Sequence, residues 1–306
     1  MARIYDMIII GGGPAGYTGA LYAARAGLDV LVLEKLSAGG QMALTSQIDN
    51  YPGFSEGIDG FTLGEKMQQG AESFGARTEL AEVYALDLKA EPKRVETSEG
   101  EFLAKTVVIA TGASPRELGV PQEQALIGRG VNYCAACDGM FYKGKTVVVA
   151  GGGNSAAGDA LQLSRIAEKV ILVHRRDTLR ATKIYHKALE EAPNVEFAWN
   201  SAITELISDG KLKAVRVRDV QTGQLREIPC DGLFVSIGRR PSTDLVKGQL
   251  ELDEAGYIIA DETTRTNIPG VFAAGDVRTK VLRQIITAAA DGASAAHWAE
   301  EYLAEK

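Results

Sequence analysis

The sequence predicts an α/β fold organised as two domains, and three observations carry that expectation. First, 306 residues exceed one ordinary core and suit two domains of about 100–200 residues each. Second, a strand, a glycine-rich loop, a helix and another strand follow one another at the start of the chain. Third, the same order returns in the middle of the chain.

In the first unit, residues 7–10 (MIII) are short, branched and apolar, the pattern of a buried parallel strand. Gly11-Gly12-Gly13-Pro14-Ala15-Gly16 follows, then a helical stretch to Ala26 with Gly27 as its stop signal. A second strand over 29–33 ends at Glu34. This order is that of a dinucleotide-binding, Rossmann-like unit. Gly11 permits a tight turn, Gly13 lets a pyrophosphate approach the backbone, and Gly16 allows close helix–strand packing. The helix N-terminus then faces the phosphates, and Glu34 can accept hydrogen bonds from ribose hydroxyls. A plain glycine-rich turn is the bland alternative; the flanking strands and the acid weigh against it.

In the second unit, residues 145–150 read as a strand and Gly151-Gly152-Gly153-Asn154-Ser155-Ala156 as the loop. A helix to about Ala167 and a strand over 169–173 complete it. From Gly11 to Glu34 and from Gly151 to His174 the chain advances 23 residues in each case. The end residues differ. Where the first unit has Glu34, the second has His174-Arg175-Arg176, with Arg180 four residues beyond Arg176. A carboxylate there would repel a 2′-phosphate, whereas arginine forks bind one bidentately. The second site is therefore expected to prefer NADP over NAD, against the plainer reading of a solvated basic turn.

Composition narrows the function classes. The chain is 45% hydrophobic and 24% charged, with a formal net charge of −7, a balance that argues against a nucleic-acid partner. The apolar runs are far short of a membrane span, and no leader pattern opens the chain, so a cytoplasmic location is expected. The three cysteines include one CxxC pair, Cys134-Ala135-Ala136-Cys137. Zinc would need two more ligands, and only Cys230 and three scattered histidines remain. A structural disulfide or two inert thiols is the other plain reading. A CxxC pair can also cycle between dithiol and disulfide within one turn. Asp138, next in sequence, could exchange protons with a thiolate or simply cap a helix; the residues alone leave both open. Cys230, beside an apolar run over 233–235, reads as a packed thiol.

Gly11-Gly12-Gly13-Pro14-Ala15-Gly16, Cys134-Ala135-Ala136-Cys137-Asp138-Gly139, residues 151–156 and His174-Arg175-Arg176 together resemble the low-molecular-weight, bacterial-type thioredoxin reductases. These are members of the pyridine nucleotide-disulfide oxidoreductase superfamily. The likeness continues through Gly39-Gly40-Gln41, Asn50-Tyr51-Pro52-Gly53, Ala110-Thr111-Gly112, residues 270–276 and Arg283-Gln284, covering essentially the whole chain.

The resemblance implies an FAD domain made of residues 1–112 and 241–306, interrupted by an NADPH domain over 113–240 that carries the CxxC. It implies FAD contacts from Gly11, Gly13, Pro14, Ala15, Gly16, Glu34, Lys35, Gly39, Gly40, Gln41, Asn50, Thr111 and Gly112. From the returning part of that domain it adds Gly275, Asp276, Arg283 and Gln284. For NADPH it implies Gly151, Gly153, Asn154, Ser155 and Ala156, with His174, Arg175, Arg176, Arg180, Ile237 and Gly238. Electrons would pass from NADPH to FAD, to the Cys134–Cys137 disulfide, then to thioredoxin or a thioredoxin-like protein. Cys137 would face the flavin, Cys134 would attack the partner and Asp138 would serve as the acid. A homodimer is carried over in the same way.

The tail agrees with that reading. Residues 266–274 read as a last strand leading to Gly275-Asp276. From Gln284 a small-residue helix begins, whose positive N-terminal end suits a reduced, anionic flavin; it also reads as a plain packing helix, and the two are compatible. One departure is Gly158-Asp159, where many relatives carry two glutamates. A glycine there costs about 1 kcal/mol relative to alanine in a helix, so close packing is its expected use. A peroxidase-linked reductase, an oxygen-using disulfide oxidase and a non-catalytic flavin sensor are the competing readings. The sensor would bind flavin that NADPH fails to reduce, and oxidase relatives tend to lack the basic motif kept here.

Overall fold

The structure, a computed structural model, describes residues 3–45 and 47–306. In chain order it opens with β1 (Ile4–Ile10), α1 (Pro14–Arg25) and β2 (Val30–Glu34), followed by α2 (Gly60–Glu72) and β3 (Arg77–Leu80). Strands β4 (Val83–Asp87), β5 (Lys93–Thr97), β6 (Gly100–Ile109) and β7 (Ala113–Pro115) come next. The central stretch holds β8 (Val131–Asn132), α3 (Ala135–Asp138), β9 (Thr146–Ala150), α4 (Asn154–Ser164), β10 (Lys169–Val173) and α5 (Lys183–Glu190). It continues through β11 (Val195–Ala198), β12 (Ser201–Ser208), β13 (Leu212–Asp219), β14 (Leu225–Pro229), β15 (Gly232–Val235) and β16 (Arg239–Pro241). The tail adds β17 (Val271–Ala273) and α6 (Ile285–Ala304). The chain divides into two compact units, one of Met1–Ser114 with Arg240–Lys306, the other Pro115–Arg239.

The first unit is built on a seven-stranded sheet in the order β3-β2-β1-β6-β5-β4, with β17 also paired to β6. Strand β6 changes partners along its length. Gly100–Ala104 pairs antiparallel with β5, whereas Val107–Ile109 pairs parallel with β17, and β1 runs parallel to both halves. Residues 7–10 are buried on both faces, as a strand inside a parallel sheet must be.

Helices α1 and α6 pack backbone to backbone. A Cβ on Gly292 would lie 2.1 Å from the Ala15 carbonyl oxygen, and one on Gly19 would lie 3.2 Å from the Gly292 oxygen. The alanines of α6 are thus a packing face, as expected, and the close fit fixes where its N-terminus ends up.

One expectation is corrected here. Residues 266–274 do not form one strand: Pro269-Gly270 turns the chain, with Gly270 at φ 73° and the Thr266 amide donating to the Val271 oxygen at 3.1 Å. Only Val271–Ala273 remains strand, because proline and a left-handed glycine together make a reversal. Helix α4 also stops three residues short of Ala167. The Asn194 side-chain amide takes the Ser164 and Ala167 carbonyls at 2.9 and 3.0 Å, supplying partners that another helical turn would otherwise provide.

The second unit centres on a parallel sheet, β11-β10-β9-β15-β8, beside an antiparallel meander, β12-β13-β14. Strands β9 and β10 pair in register from Thr146 and Lys169 to Ala150 and Val173. The glycine loop and the basic residues therefore emerge at the same end of the sheet, where ligands of open α/β sheets bind.

Candidate functional site

Two glycines of the first loop, Gly11 and Gly16, have a steric reason. A Cβ on Gly16 would sit 1.9 Å from the Gly11 oxygen, and one on Gly11, at φ 109°, would sit 2.5 Å from the Ala110 oxygen. At Gly13 a Cβ would meet nothing within 4 Å, so the loop presents open backbone at the N-terminus of α1. Gly40 closes on that place, its Cβ position 3.6 Å from the Gly13 Cα. The Gly39 amide donates to the Gly12 oxygen at 2.8 Å. Glu34 accepts from the Gly12 amide at 2.7 Å and the Leu36 amide at 3.0 Å. That leaves acceptor capacity on a carboxylate, which has about four lone-pair sites. Lys35, by contrast, is taken up on the surface by Glu82 at 2.6 Å.

The tail of the same unit converges there. A Cβ on Gly275 would lie 3.0 Å from the Ala15 Cβ, so the Gly275-Asp276 turn abuts the start of α1. Arg283 reaches the Asp276 carbonyl at 3.5 Å and stacks over Tyr257 at 4.0 Å. Gln284 caps α6 in a reciprocal box with Thr287 and accepts from the Asn50 side chain at 3.1 Å. Two helix N-termini thus face one region whose central glycine is open, an arrangement fit for a dinucleotide with a ring system at its far end. At the chain crossing, the Thr111 hydroxyl donates to the Ser242 oxygen at 2.7 Å and the Gly112 oxygen accepts from the Ser242 amide at 3.0 Å.

In the second unit a cavity of about 700 Å³ opens over the second glycine loop. Gly151, Gly153, Asn154 and Ser155 form its floor, His174, Arg175 and Arg180 one side, and Ile237-Gly238 another. Ala156 is buried beneath it, and Arg176 is exposed beside it without lining it. Gly151 cannot carry a side chain, since a Cβ would lie 2.4 Å from the Ser236 oxygen; Gly153 again faces open space. The His174 ring lies over Gly152, where a Cβ would come within 2.2 Å of it. Burial first, then the charges of Arg180, Arg176 and Arg175, holds this imidazole below its ordinary pKa, in the neutral form. Its Nε2 is buried with no hydrogen-bond partner, a polar atom left for a ligand beside two guanidinium groups. Sequence reading missed Arg116, Glu117, Leu118 and the Ser201–Ile203 segment, which complete the lining. They come from a crossing loop and a meander edge and carry no local motif.

Cys134 and Cys137 form a disulfide with Cα atoms 5.3 Å apart. The pair opens the short turn α3, and the Cys134 sulfur accepts from the Cys137 amide at 3.2 Å. Buried Asn132, just upstream, donates to the Tyr142 hydroxyl at 2.9 Å and fixes the approach of the chain. Burial pushes the Asp138 carboxyl up to about 6, where it can hold or release a proton near neutrality. Cys230 is buried, its thiol pushed up to about 12 by burial and the charge of Asp231, so almost no thiolate forms near neutrality.

A family model, pyridine nucleotide-disulphide oxidoreductase, matches residues 5–292. The chain belongs to that family. It is 48% identical to the thioredoxin reductase of Streptomyces clavuligerus, over 99% of this chain and 95% of that one. It is 44% identical to the thioredoxin reductase of Peptoclostridium acidaminophilum, over 99% and 98%. Among solved structures it superposes on the thioredoxin reductase of Streptococcus pyogenes MGAS5005 with a TM-score of 0.92, 43% identity and full coverage of both chains. The thioredoxin reductase of Giardia duodenalis gives 0.91 at 39% identity, with 99% of each chain covered. Family membership makes the chain an oxidoreductase with a flavin, a pyridine nucleotide and a redox-active disulfide, and the disulfide is the Cys134–Cys137 pair. Among the described residues, no helix is long and apolar enough to cross a membrane.

The Asp138 carboxyl yields a paired prediction. Its raised pKa means that the stability it contributes is present below the unfolded value and is lost as pH rises through about 6. Asp138→Asn is therefore expected to gain folding stability at pH 7, on the order of 1–3 kcal/mol. The same change should lower disulfide turnover by about 10²-fold and remove any inflection near pH 6. Chemical denaturation and a pH–rate profile measure the two; equal turnover in both proteins would remove the acid role.

Proposed function

We propose that the protein is an NADPH-dependent, FAD-containing thioredoxin-disulfide reductase. The observation that carries this reading is that the Pro115–Arg239 unit holds both the closed Cys134–Cys137 disulfide and a cavity of about 700 Å³ over a glycine loop, flanked by Arg175 and Arg180. Those two arginines, with Arg176 alongside, would take the 2′-phosphate that distinguishes NADPH from NADH. The His174 Nε2 and the open backbone of Gly153 would meet the rest of the nucleotide. In the other unit, Gly11 to Gly16, Gly40 and the N-termini of α1 and α6 would hold FAD, with Glu34 on a ribose and Asp276 on the ribityl chain. When bound, FAD supplies a two-electron relay between nicotinamide and disulfide.

The remaining chemistry belongs to this chain. With the disulfide opened, Cys134 attacks a disulfide sulfur of thioredoxin or a thioredoxin-like protein, and the other partner sulfur leaves as a thiolate. Cys137 then attacks Cys134 Sγ, which releases the reduced partner and restores the intramolecular bond. Asp138 holds the proton that these thiolates exchange. The same reading carries a homodimer and a cytoplasmic location.

The test is anaerobic: mix the yellow protein with NADPH or NADH, follow flavin absorbance, then add oxidised thioredoxin. Bleaching by NADPH and recovery on adding thioredoxin are expected. Bleaching without recovery would leave the cofactors in place and remove the partner. Replacing Arg175 or Arg180 by Ala should raise KM for NADPH by about 10-fold or more, one charge-assisted contact being worth roughly 1.5–3 kcal/mol. KM for NADH should stay within about twofold, because NADH lacks the phosphate those contacts read. An unchanged ratio of the two KM values would move the 2′-phosphate site elsewhere.

A further inference from the structure

A buried carboxylate joins the wall of the nucleotide cavity to the redox-active pair. Glu123 is only 2% exposed, and a carboxylate out of water persists only with donors around it. It has three. The Leu118 amide donates at 2.9 Å, the Gly119 amide at 2.8 Å and the Tyr133 hydroxyl at 2.8 Å. Two of these belong to the crossing loop whose Arg116, Glu117 and Leu118 line the cavity. The third belongs to the residue that directly precedes Cys134. Leu118 and Tyr133 also pack against one apolar cluster of this unit, so both arms of the link rest on the same core.

The backbone at Glu123 is held firmly. Gln122 sits at φ 67°, a left-handed conformation that costs energy for a non-glycine residue and persists only where its surroundings demand it. Its side chain accepts from the Ser208 hydroxyl at 2.8 Å, anchoring the turn to the end of β12. Burial and the Glu123 charge keep the Tyr133 phenol above its ordinary pKa, a fixed donor throughout the working range. Glu123 therefore cannot follow a displacement of the 116–119 loop without pulling on Tyr133, the residue bonded to Cys134.

We propose that Glu123 is a positioning residue through which the nucleotide sets the reactivity of Cys134. A dinucleotide lying against residues 116–118 loads the loop, and Glu123 and Tyr133 pass that load to the Cys134 backbone. This rests on reading the cavity as the pyridine nucleotide site.

The experiment uses the flavin-loaded Cys137→Ser protein. Cys134 is its one accessible thiol, since Cys230 is buried. The rate of Cys134 alkylation by iodoacetamide is measured at pH 7 with and without saturating NADP⁺, and NADP⁺ affinity by calorimetry. NADP⁺ is expected to change the alkylation rate by at least about fivefold, the low end of ordinary coupling between sites. Adding Tyr133→Phe keeps the ring in its apolar cluster and removes only the hydroxyl. It should leave NADP⁺ affinity within about twofold and abolish the NADP⁺ effect on alkylation. Glu123→Gln, which turns one buried N–H against an amide, should weaken NADP⁺ binding by about fivefold or more. An NADP⁺ effect that persists with Tyr133→Phe overturns the proposal, as does binding with no effect on Cys134 or unchanged NADP⁺ affinity in Glu123→Gln. Absence of NADP⁺ binding in the Tyr133, Glu123 protein overturns the nucleotide reading first and this proposal with it.

Discussion

Cys137→Ser is expected to lower steady-state reduction of a protein disulfide by at least about 10³-fold, the scale on which loss of a reacting nucleophile acts. Bleaching of the flavin by NADPH should stay within about twofold. Serine is close to cysteine in size, so α3 and the approach of the chain through Asn132 are kept. What disappears is the S–S bond, the redox-active disulfide that goes with family membership. Cys230 cannot stand in. It lies in a separate apolar cluster, buried, with its thiol pushed up to about 12, so almost no thiolate forms at neutral pH.

The two single variants should fail differently. In Cys137→Ser, Cys134 still attacks the partner, and the mixed disulfide has no neighbouring thiol to resolve it. A covalent complex should accumulate, visible by mass spectrometry without reductant. Cys134→Ser should lose turnover to the same degree without accumulating that covalent complex. Trapping in Cys134→Ser alone would exchange the two assignments. Turnover of either variant within tenfold of the parent would remove the disulfide from the electron path.

These expectations come from motifs that are legible in sequence because their cause is local. Gly11 and Gly151 are required by the oxygens of Ala110 and Ser236, which the folded sheet brings beside them, but Gly16 is required by the Gly11 oxygen within the loop itself. The CxxC spacing places two sulfurs on one turn for the same reason. Glu34 at the strand end marks a ribose acceptor in sequence; two backbone amides, those of Gly12 and Leu36, also hold its carboxylate, a role that only the folded loop creates. The turn within residues 266–274 has its signal in Pro269-Gly270, set beside an apolar run that also fits a strand. Arg116 to Leu118, Ser201 to Ile203 and Glu123 left none. Their positions follow from how a crossing loop and a meander edge meet the parallel sheet, which is tertiary structure without local pattern.

The same limit hid the ion cluster that supports the second prediction. Arg278 and Asp291 are 2% and 6% exposed in their side chains, and Lys280 is 7% exposed. The Asp291 carboxylate accepts from Arg278 at 2.7 and 2.8 Å, from Lys280 at 2.8 Å and from the Gly275 amide at 2.8 Å. One acid on α6 thus neutralises two cations and holds the turn that precedes Asp276.

Replacing it leaves both cations buried against each other. Asp291→Asn is therefore expected to destabilise its unit by about 3–5 kcal/mol, the usual cost of stranding a buried charge. Burial alone would raise the Asp291 pKa, but the hydrogen bonds and charges of Arg278 and Lys280 outweigh it and hold the carboxyl below its ordinary value. The stability it brings is accordingly present above the unfolded pKa and lost as pH falls through the lower folded one. The gap between parent and variant should be full at pH 7 and should narrow in strong acid. Two units need not unfold together, so the probe must report on one of them. Trp298 lies on α6 and Trp199 in the other unit; in a Trp199→Phe background, Trp298 fluorescence follows the unit that contains Asp291. Unfolding in urea should then shift for Asp291→Asn, and FAD affinity should fall with it because the Gly275 amide loses its anchor. A variant as stable as its parent at pH 7 would mean that Glu262, 3.6 Å from Arg278, carries the neutralisation instead. Stability lost with FAD affinity unchanged would confine Asp291 to the fold and detach it from the flavin turn.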